Sequence, residues 1–135
     1  MKLVIKNLTK TYKNGVKAID NLSIEIGTGM FGLLGPNGAG KSSLMRTIAT
    51  LQSPDSGSIM FGDIEVLKDN MSLRKVLGYL PQSFGVYPKM SAEDLLDYFA
   101  TLKGVSNKTE RDALVKEVLE ITNLYDVRKK YVAGY

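Results

Sequence analysis

The chain has 135 residues, a formal net charge of +4, and neither cysteine nor histidine. The missing cysteines exclude disulfides and thiolate metal sites, and the missing histidines remove the commonest metal ligand and general base, so any chemistry must use carboxylates, lysine, amides or a bound metal. Apolar content of 44% and charged content of 24% suit one ordinary domain with a real core, and the longest apolar run, Met30 to Leu34, is far too short to span a membrane.

The opening Met1-Lys2-Leu3-Val4-Ile5-Lys6 alternates toward a strand and lacks the apolar core of a signal peptide, so no export is implied. Residues 1–34 read as β-rich. Leu22, Ile24 and Ile26 alternate with Ser23 and Glu25, the pattern of a strand with one wet face. Met30-Phe31-Gly32-Leu33-Leu34 is apolar on both faces, which predicts a central buried strand. A first helix is predicted from Lys41 to Leu51, stopping before the turn cluster Pro54-Asp55-Ser56-Gly57. Ser58 to Phe61 and Ile64 to Leu67 flank Gly62-Asp63, a two-residue hairpin turn. A further strand, Val76 to Leu80, ends at Pro81. Ser91-Ala92-Glu93-Asp94 then reads as a capping box opening a helix with Leu95, Tyr98, Phe99 and Leu102 on its apolar face, ended by Gly104. Asn107 caps a second helix with Leu114, Val115, Val118 and Leu119 on one face. The basic triplet Arg128-Lys129-Lys130 reads as a solvated helix end. No basic-aromatic stripe of the kind that binds nucleic acid is present.

Gly35-Pro36-Asn37-Gly38-Ala39-Gly40-Lys41-Ser42 fits G-x-x-x-x-G-K-[ST], the phosphate-binding loop, between a predicted strand and a predicted helix. Each residue type has a physical reason. Glycines let consecutive N–H groups turn inward into an anion nest, and the helix aims its positive end at the same point. Lys41 can reach the β- and γ-phosphates, the Ser42 hydroxyl can ligand Mg²⁺, and Ser43 lies where it can face the α-phosphate. The expected ligand is a nucleoside triphosphate.

Several landmarks resemble the ATP-binding domain of ABC transporters. The wording of Gly35 to Ser42 is close to that family's loop, and Leu8-Thr9-Lys10-Thr11-Tyr12 resembles the segment that carries its adenine-stacking aromatic, here Tyr12. Val16 and Ala18 are candidates to pack beside the ribose. Leu77-Gly78-Tyr79-Leu80-Pro81-Gln82 is similar to the strand leading to the Q-loop, which makes Gln82 the amide that contacts a metal-bound water and senses the γ-phosphate. The resemblance continues from Ser83 to Asp94 and spans essentially the whole chain. It implies an α/β fold: a P-loop NTPase core with an N-terminal antiparallel β subdomain and the start of a helical subdomain. The domain is expected to be incomplete, with residues 1–90 forming the β subdomain and core and residues 91–135 beginning the helical subdomain.

The resemblance further implies ATP and Mg²⁺ as ligands, with Lys41 and Gln82 in catalytic roles and Ser42 and Gln82 at the metal. Tyr12, Gly35, Pro36, Asn37, Gly38, Ala39, Gly40, Lys41, Ser42 and Ser43 would bind the nucleotide. The implied partners are a membrane-spanning permease and a second ATP-binding subunit arranged head to tail, with no nucleic acid. The expected location is cytoplasmic, peripheral on the inner face of the membrane through the permease. The likeness leans toward the exporter-type subfamily. A soluble ABC-type ATPase of translation or DNA repair and an inactive truncated fragment are the competing readings, whereas no guanine-reading N-K-x-D segment supports a GTPase. Val132-Ala133-Gly134-Tyr135 resembles the lead into the signature motif, and neither the Walker B strand nor the switch histidine follows. The chain by itself is therefore expected to hydrolyse ATP negligibly, and Met30, Phe31, Leu33 and Leu34 to lack part of their cover, leaving an aggregation-prone or partly ordered fragment.

Overall fold

The computed structural model describes residues 1–81, Gly85, Tyr87 and 89–135. Two units make up the chain, Met1–Tyr79 and Leu80–Tyr135. The first holds a four-stranded antiparallel sheet in the order β2-β1-β3-β4, built from β1 (Leu3–Thr11), β2 (Lys17–Ile26), β3 (Ser56–Phe61) and β4 (Ile64–Glu65), with α1 (Lys41–Ile48) and α2 (Asn70–Val76). The second holds α3 (Ala92–Leu102) and α4 (Lys108–Ile121). The fold class is thus α/β, an antiparallel sheet subdomain followed by helices, as the resemblance implies.

The sheet departs from simple alternation at two places, and its core depends on both. Ile5 and Leu8 are both buried although they lie three positions apart, which a regular strand would place on opposite faces. Asn7 resolves the conflict: at φ 50° it inserts one extra residue, so Leu8 returns to the core. Asn21, at φ 46°, does the same on β2 between buried Ile19 and half-buried Leu22. The two bulges are tied together. Asn7 Nδ2 donates to Asn21 Oδ1 at 3.0 Å, its backbone N–H donates to Ser23 Oγ at 2.9 Å, and Leu8 then pairs with Leu22. Gly57 makes room for the bulge from the β3 side, where a Cβ would lie 2.6 Å from both Asn7 O and Leu8 Cα. Ile5, Leu8, Ile19, Leu44, Ile59, Val66 and Leu73 form the resulting core.

The Gly62-Asp63 turn joins β3 to β4 as expected, with Phe61 paired to Ile64. Three other expectations are corrected. Met30 to Leu34 forms no strand, and Met30 and Leu34 are 101% and 94% exposed. A strand exists through its ladder, and β1 is already paired on both edges by β2 and β3. No described strand lies beside residues 30–34 to take up their N–H and C=O groups. Val76 to Leu80 is likewise not a strand, because α2 runs to Val76. The Asp69 side chain accepts from Ser72 N–H at 3.1 Å to start that helix, and Leu73 and Leu77, one turn apart, pack on the core. The first helix stops at Ile48 rather than Leu51, since Thr50 turns to φ 59°; Arg74 then donates to Thr50 O at 3.2 Å and to its Oγ1 at 2.9 Å.

In the second unit Ser91 caps α3 by accepting from Asp94 N–H at 3.1 Å, and Asn107 caps α4 by accepting from Glu110 N–H at 3.1 Å. Both caps match the sequence reading. The buried face of α3 is different: Ala92, Leu95 and Ala100 are covered, while Tyr98, Phe99 and Leu102 of the expected face are exposed. Ala92 packs with Val115 and Leu119 of α4, with half-buried Leu96 against them. Leu114, also expected inside, is 41% exposed.

Candidate nucleotide-binding site

The loop before α1 is organised around two left-handed glycines, Gly38 and Gly40, each at φ 85°. Ala39 N–H donates to Pro36 O at 3.2 Å, closing a tight turn between them. Gly40 is the N-cap of α1, and its missing Cβ is essential, because a Cβ there would sit 1.9 Å from Ala18 O on β2. The helix start has no side-chain cap and no acidic residue in its first turn. The N–H groups of Lys41, Ser42 and Ser43 therefore stand at a positive helix end without a counter-charge, the arrangement an anion completes.

Lys41 is folded back over the loop. Its ammonium donates to Gly35 O and, at 2.6 Å, to Pro36 O. These carbonyls hold the cation above the nest, where a phosphate oxygen would compete for the same protons. Pro36 and Asn37 are exposed on the loop, and Ser42 presents an exposed hydroxyl at the start of the helix. Ser43 faces the other way and is buried.

Ser43 meets Tyr12 there. β1 delivers Tyr12 at its end, where Tyr12 N–H donates to Val16 O at 2.8 Å and Gly15 N–H donates back to Tyr12 O at 2.9 Å. The Tyr12 hydroxyl lies 2.8 Å from Ser43 Oγ and 3.2 Å from Gln52 Oε1, and the residue is 36% exposed. The Ser43 hydrogen bond, more than the nearby Arg46 and Lys10 charges, holds the phenol below its ordinary value, against a smaller opposing effect of burial. Ala18 is half-buried and Val16 is 52% exposed beside this corner. The structure thus brings Tyr12, Ser43 and the phosphate loop into one corner of the first unit. Gln82 lies outside the described residues.

Three neighbours carry no recognisable sequence signal. Gln52 and Thr47 brace Ser43 from behind. Asp55, read only as part of a turn, accepts from Thr11 N–H at 2.6 Å and from Lys10 Nζ at 3.3 Å, pinning the strand end that bears Tyr12. The Thr11 N–H, then Lys10, hold its carboxyl below the usual 3.8. The folded form is the one with the lower pKa, so the stabilisation is complete above the ordinary carboxylate range and is lost as pH falls through the depressed value. Wild type is therefore expected to lose its stability advantage over Asp55→Asn in urea melts as pH drops below 3.8. An unchanged gap between the two proteins at low pH would refute the role of the ionised carboxylate.

A glycine nest, an uncapped helix start and a lysine over it define a P-loop nucleotide-binding protein. The family ABC_tran (ABC transporter) matches residues 19–134, and the chain belongs to the ABC transporter family. Membership implies ATP and Mg²⁺ at the loop from Gly35 to Ser42. Among relatives, the chain is 40% identical to the "Fe(3+) ions import ATP-binding protein FbpC" of Pasteurella multocida, over 96% of this chain and 37% of that protein. It is 33% identical to the "sn-glycerol-3-phosphate import ATP-binding protein UgpC" of Cupriavidus metallidurans, over 98% of this chain and 37% of that protein. Its structure resembles the "Dimeric structure of a post-hydrolysis state of the ATP-binding cassette MJ0796 bound to ADP and Pi", with a TM-score of 0.82, 27% identity, and coverage of 98% of this chain and 62% of that one. The chain spans under half the length of these curated relatives, 37% in both.

The import proteins overturn the exporter-type expectation. The physical reason is that the residues carrying the resemblance, Tyr12 and Gly35 to Ser42, are read for a nucleotide, and a nucleotide motif carries no information on the direction of transport. The two solved MJ0796 cassettes that it resembles are described as dimeric. Among the described residues no helix is long and apolar enough to cross a membrane.

Proposed function

We propose that this chain is the nucleotide-binding portion of the ATPase subunit of an import-type ABC transporter. The observation that carries the reading is the start of α1, which has no side-chain cap and no acid in its first turn, faces a glycine loop, and has the Lys41 ammonium resting on loop carbonyls. These groups fit a polyphosphate with its divalent cation. Residues 1–90 form the β subdomain and P-loop core of a partial ATP-binding domain, and residues 91–135 begin its helical subdomain.

In this reading the N–H groups from Gly38 to Ser43 hold phosphate oxygens, and Pro36, Asn37 and Ala39 shape the turn that points them inward. Lys41 leaves Gly35 O and Pro36 O to neutralise the β- and γ-phosphates. Ser42 offers its hydroxyl to Mg²⁺, which when bound offsets phosphate charge. Ser43 offers the α-phosphate its N–H, its hydroxyl being turned to Tyr12; the Tyr12 ring receives the adenine, Val16 and Ala18 flank the ribose, and Gln82 contacts a metal-bound water near the γ-phosphate. Hydrolysis driving transport is the activity of the whole subunit, working with a second ATP-binding subunit head to tail and with a membrane-spanning permease, on the cytoplasmic face of the membrane.

The test is binding of a non-hydrolysable ATP analogue to wild type and to Lys41→Ala. Two charge-assisted hydrogen bonds to phosphate at about 1.5–3 kcal/mol each set the scale, so the variant should bind at least about a hundredfold more weakly. Equal affinity for the two proteins would remove the reading.

A further inference from the structure

The corner behind the phosphate loop contains a hydrogen-bond network whose members are distant in sequence. Gln52 is its hub. Its Nε2 donates to Ser43 O at 2.9 Å and to Thr47 Oγ1 at 2.9 Å, and its Oε1 faces the Tyr12 hydroxyl at 3.2 Å. Thr47 Oγ1 in turn donates to Ser43 O at 2.8 Å. A carbonyl can only accept, so the amide nitrogen must face Ser43 O, and the amide oxygen is left to face Tyr12. The single proton of Tyr12 then goes to Gln52, and the phenol oxygen accepts from the Ser43 hydroxyl 2.8 Å away. Both sides of the Tyr12 hydroxyl are thereby committed, one to each anchor.

We propose that Gln52 is a positioning residue for base recognition: its amide, acting with Ser43, clamps the Tyr12 hydroxyl and so sets the aromatic ring that receives the adenine. This rests on the reading of Tyr12 as the base platform. Tyr12 lies at a strand end and is 36% exposed, so packing alone does not hold its ring. A ring free to rotate must be ordered when the base binds, and a ring already clamped by its hydroxyl is not penalised in that way. The Ser43 hydroxyl is committed to this clamp, so only its N–H remains at the start of α1 for a phosphate.

The experiment measures binding of ATP and of tripolyphosphate, which carries the phosphates without the base, to this chain in the presence of Mg²⁺. Gln52→Met keeps the side-chain length and removes the amide. It should weaken ATP by about fivefold and leave tripolyphosphate unchanged, the scale expected for re-ordering one side chain. Tyr12→Phe keeps the ring and removes its hydroxyl, and should show the same loss. Adding Gln52→Met to Tyr12→Phe should then cost nothing more, because the clamp is already gone. A merely structural Gln52 would instead weaken both ligands together, and would do so equally in the Tyr12→Phe background; either result overturns the proposal. Should Gln52→Met fail to fold, Tyr12→Phe decides alone, and wild-type ATP affinity in that variant is contrary to the clamp. Tyr12→Ala separates the two levels. If it spares ATP selectivity over tripolyphosphate, or if wild type binds neither ligand, the platform reading fails and the proposal with it. If Tyr12→Ala loses that selectivity while Gln52→Met retains it, only the clamp is wrong.

Discussion

Gly40→Ala is expected to abolish nucleotide binding and to destabilise the first unit far more than the same change at Gly38. The two glycines share φ 85°, so an alanine at either is strained by about 1–2 kcal/mol for its left-handed backbone. Their surroundings differ. A Cβ on Gly38 meets nothing within 4 Å, whereas one on Gly40 would overlap Ala18 O at 1.9 Å. That atom is backbone of a paired strand and cannot swing aside, so the loop must lift from β2 and carry the start of α1 with it. The N–H groups of Lys41, Ser42 and Ser43 then no longer converge, and binding of an ATP analogue should fall by more than about a hundredfold. Urea melts of the two variants compare the structural cost. Equal stability of Gly40→Ala and Gly38→Ala would show that the close approach to Ala18 does not exist in solution.

Leu8→Ala should be the most damaging of the core truncations in the sheet, at about 2–5 kcal/mol for a fully buried leucine. That is a large share of a total on the order of 5–15 kcal/mol. Leu8 is 0% exposed because the bulge at Asn7 rotates it into the core, between its β2 partner Leu22 and the β3 side cleared by Gly57. Ile24 is the informative comparison. It is 38% exposed, and Ile24→Ala should cost less than about 1 kcal/mol. Thermal or urea denaturation of both variants checks the pair. Similar losses at the two positions would mean that β1 runs without its bulge.

The features legible in the sequence are those that depend on near neighbours in the chain. Ser91 and Asn107 cap their helices because a short polar side chain meets an N–H three residues on, whatever the rest of the fold does. The Gly62-Asp63 turn is local for the same reason. The phosphate loop is legible because its glycines and lysine act within eight consecutive residues. Transport direction is not legible, since the residues carrying the resemblance belong to a nucleotide motif, which has the same wording in importers and exporters. The buried face of α3 is not legible because Tyr98 and Phe99 offer larger apolar surface than Ala92, yet Ala92 is the residue that packs against Val115 and Leu119 of α4.

From the sequence alone came the nucleotide class, the family, the α/β fold class, and the identity of the loop, all carried by contiguous residues. Only the tertiary structure decided which faces are buried, that the apolar run from Met30 to Leu34 has no strand partner among the described residues, and that two asparagine bulges fall side by side. It alone brought Gln52 to Tyr12 across 40 residues. Pairing, burial and side-chain networks depend on which distant segments the chain brings together, and no local pattern of residues encodes that.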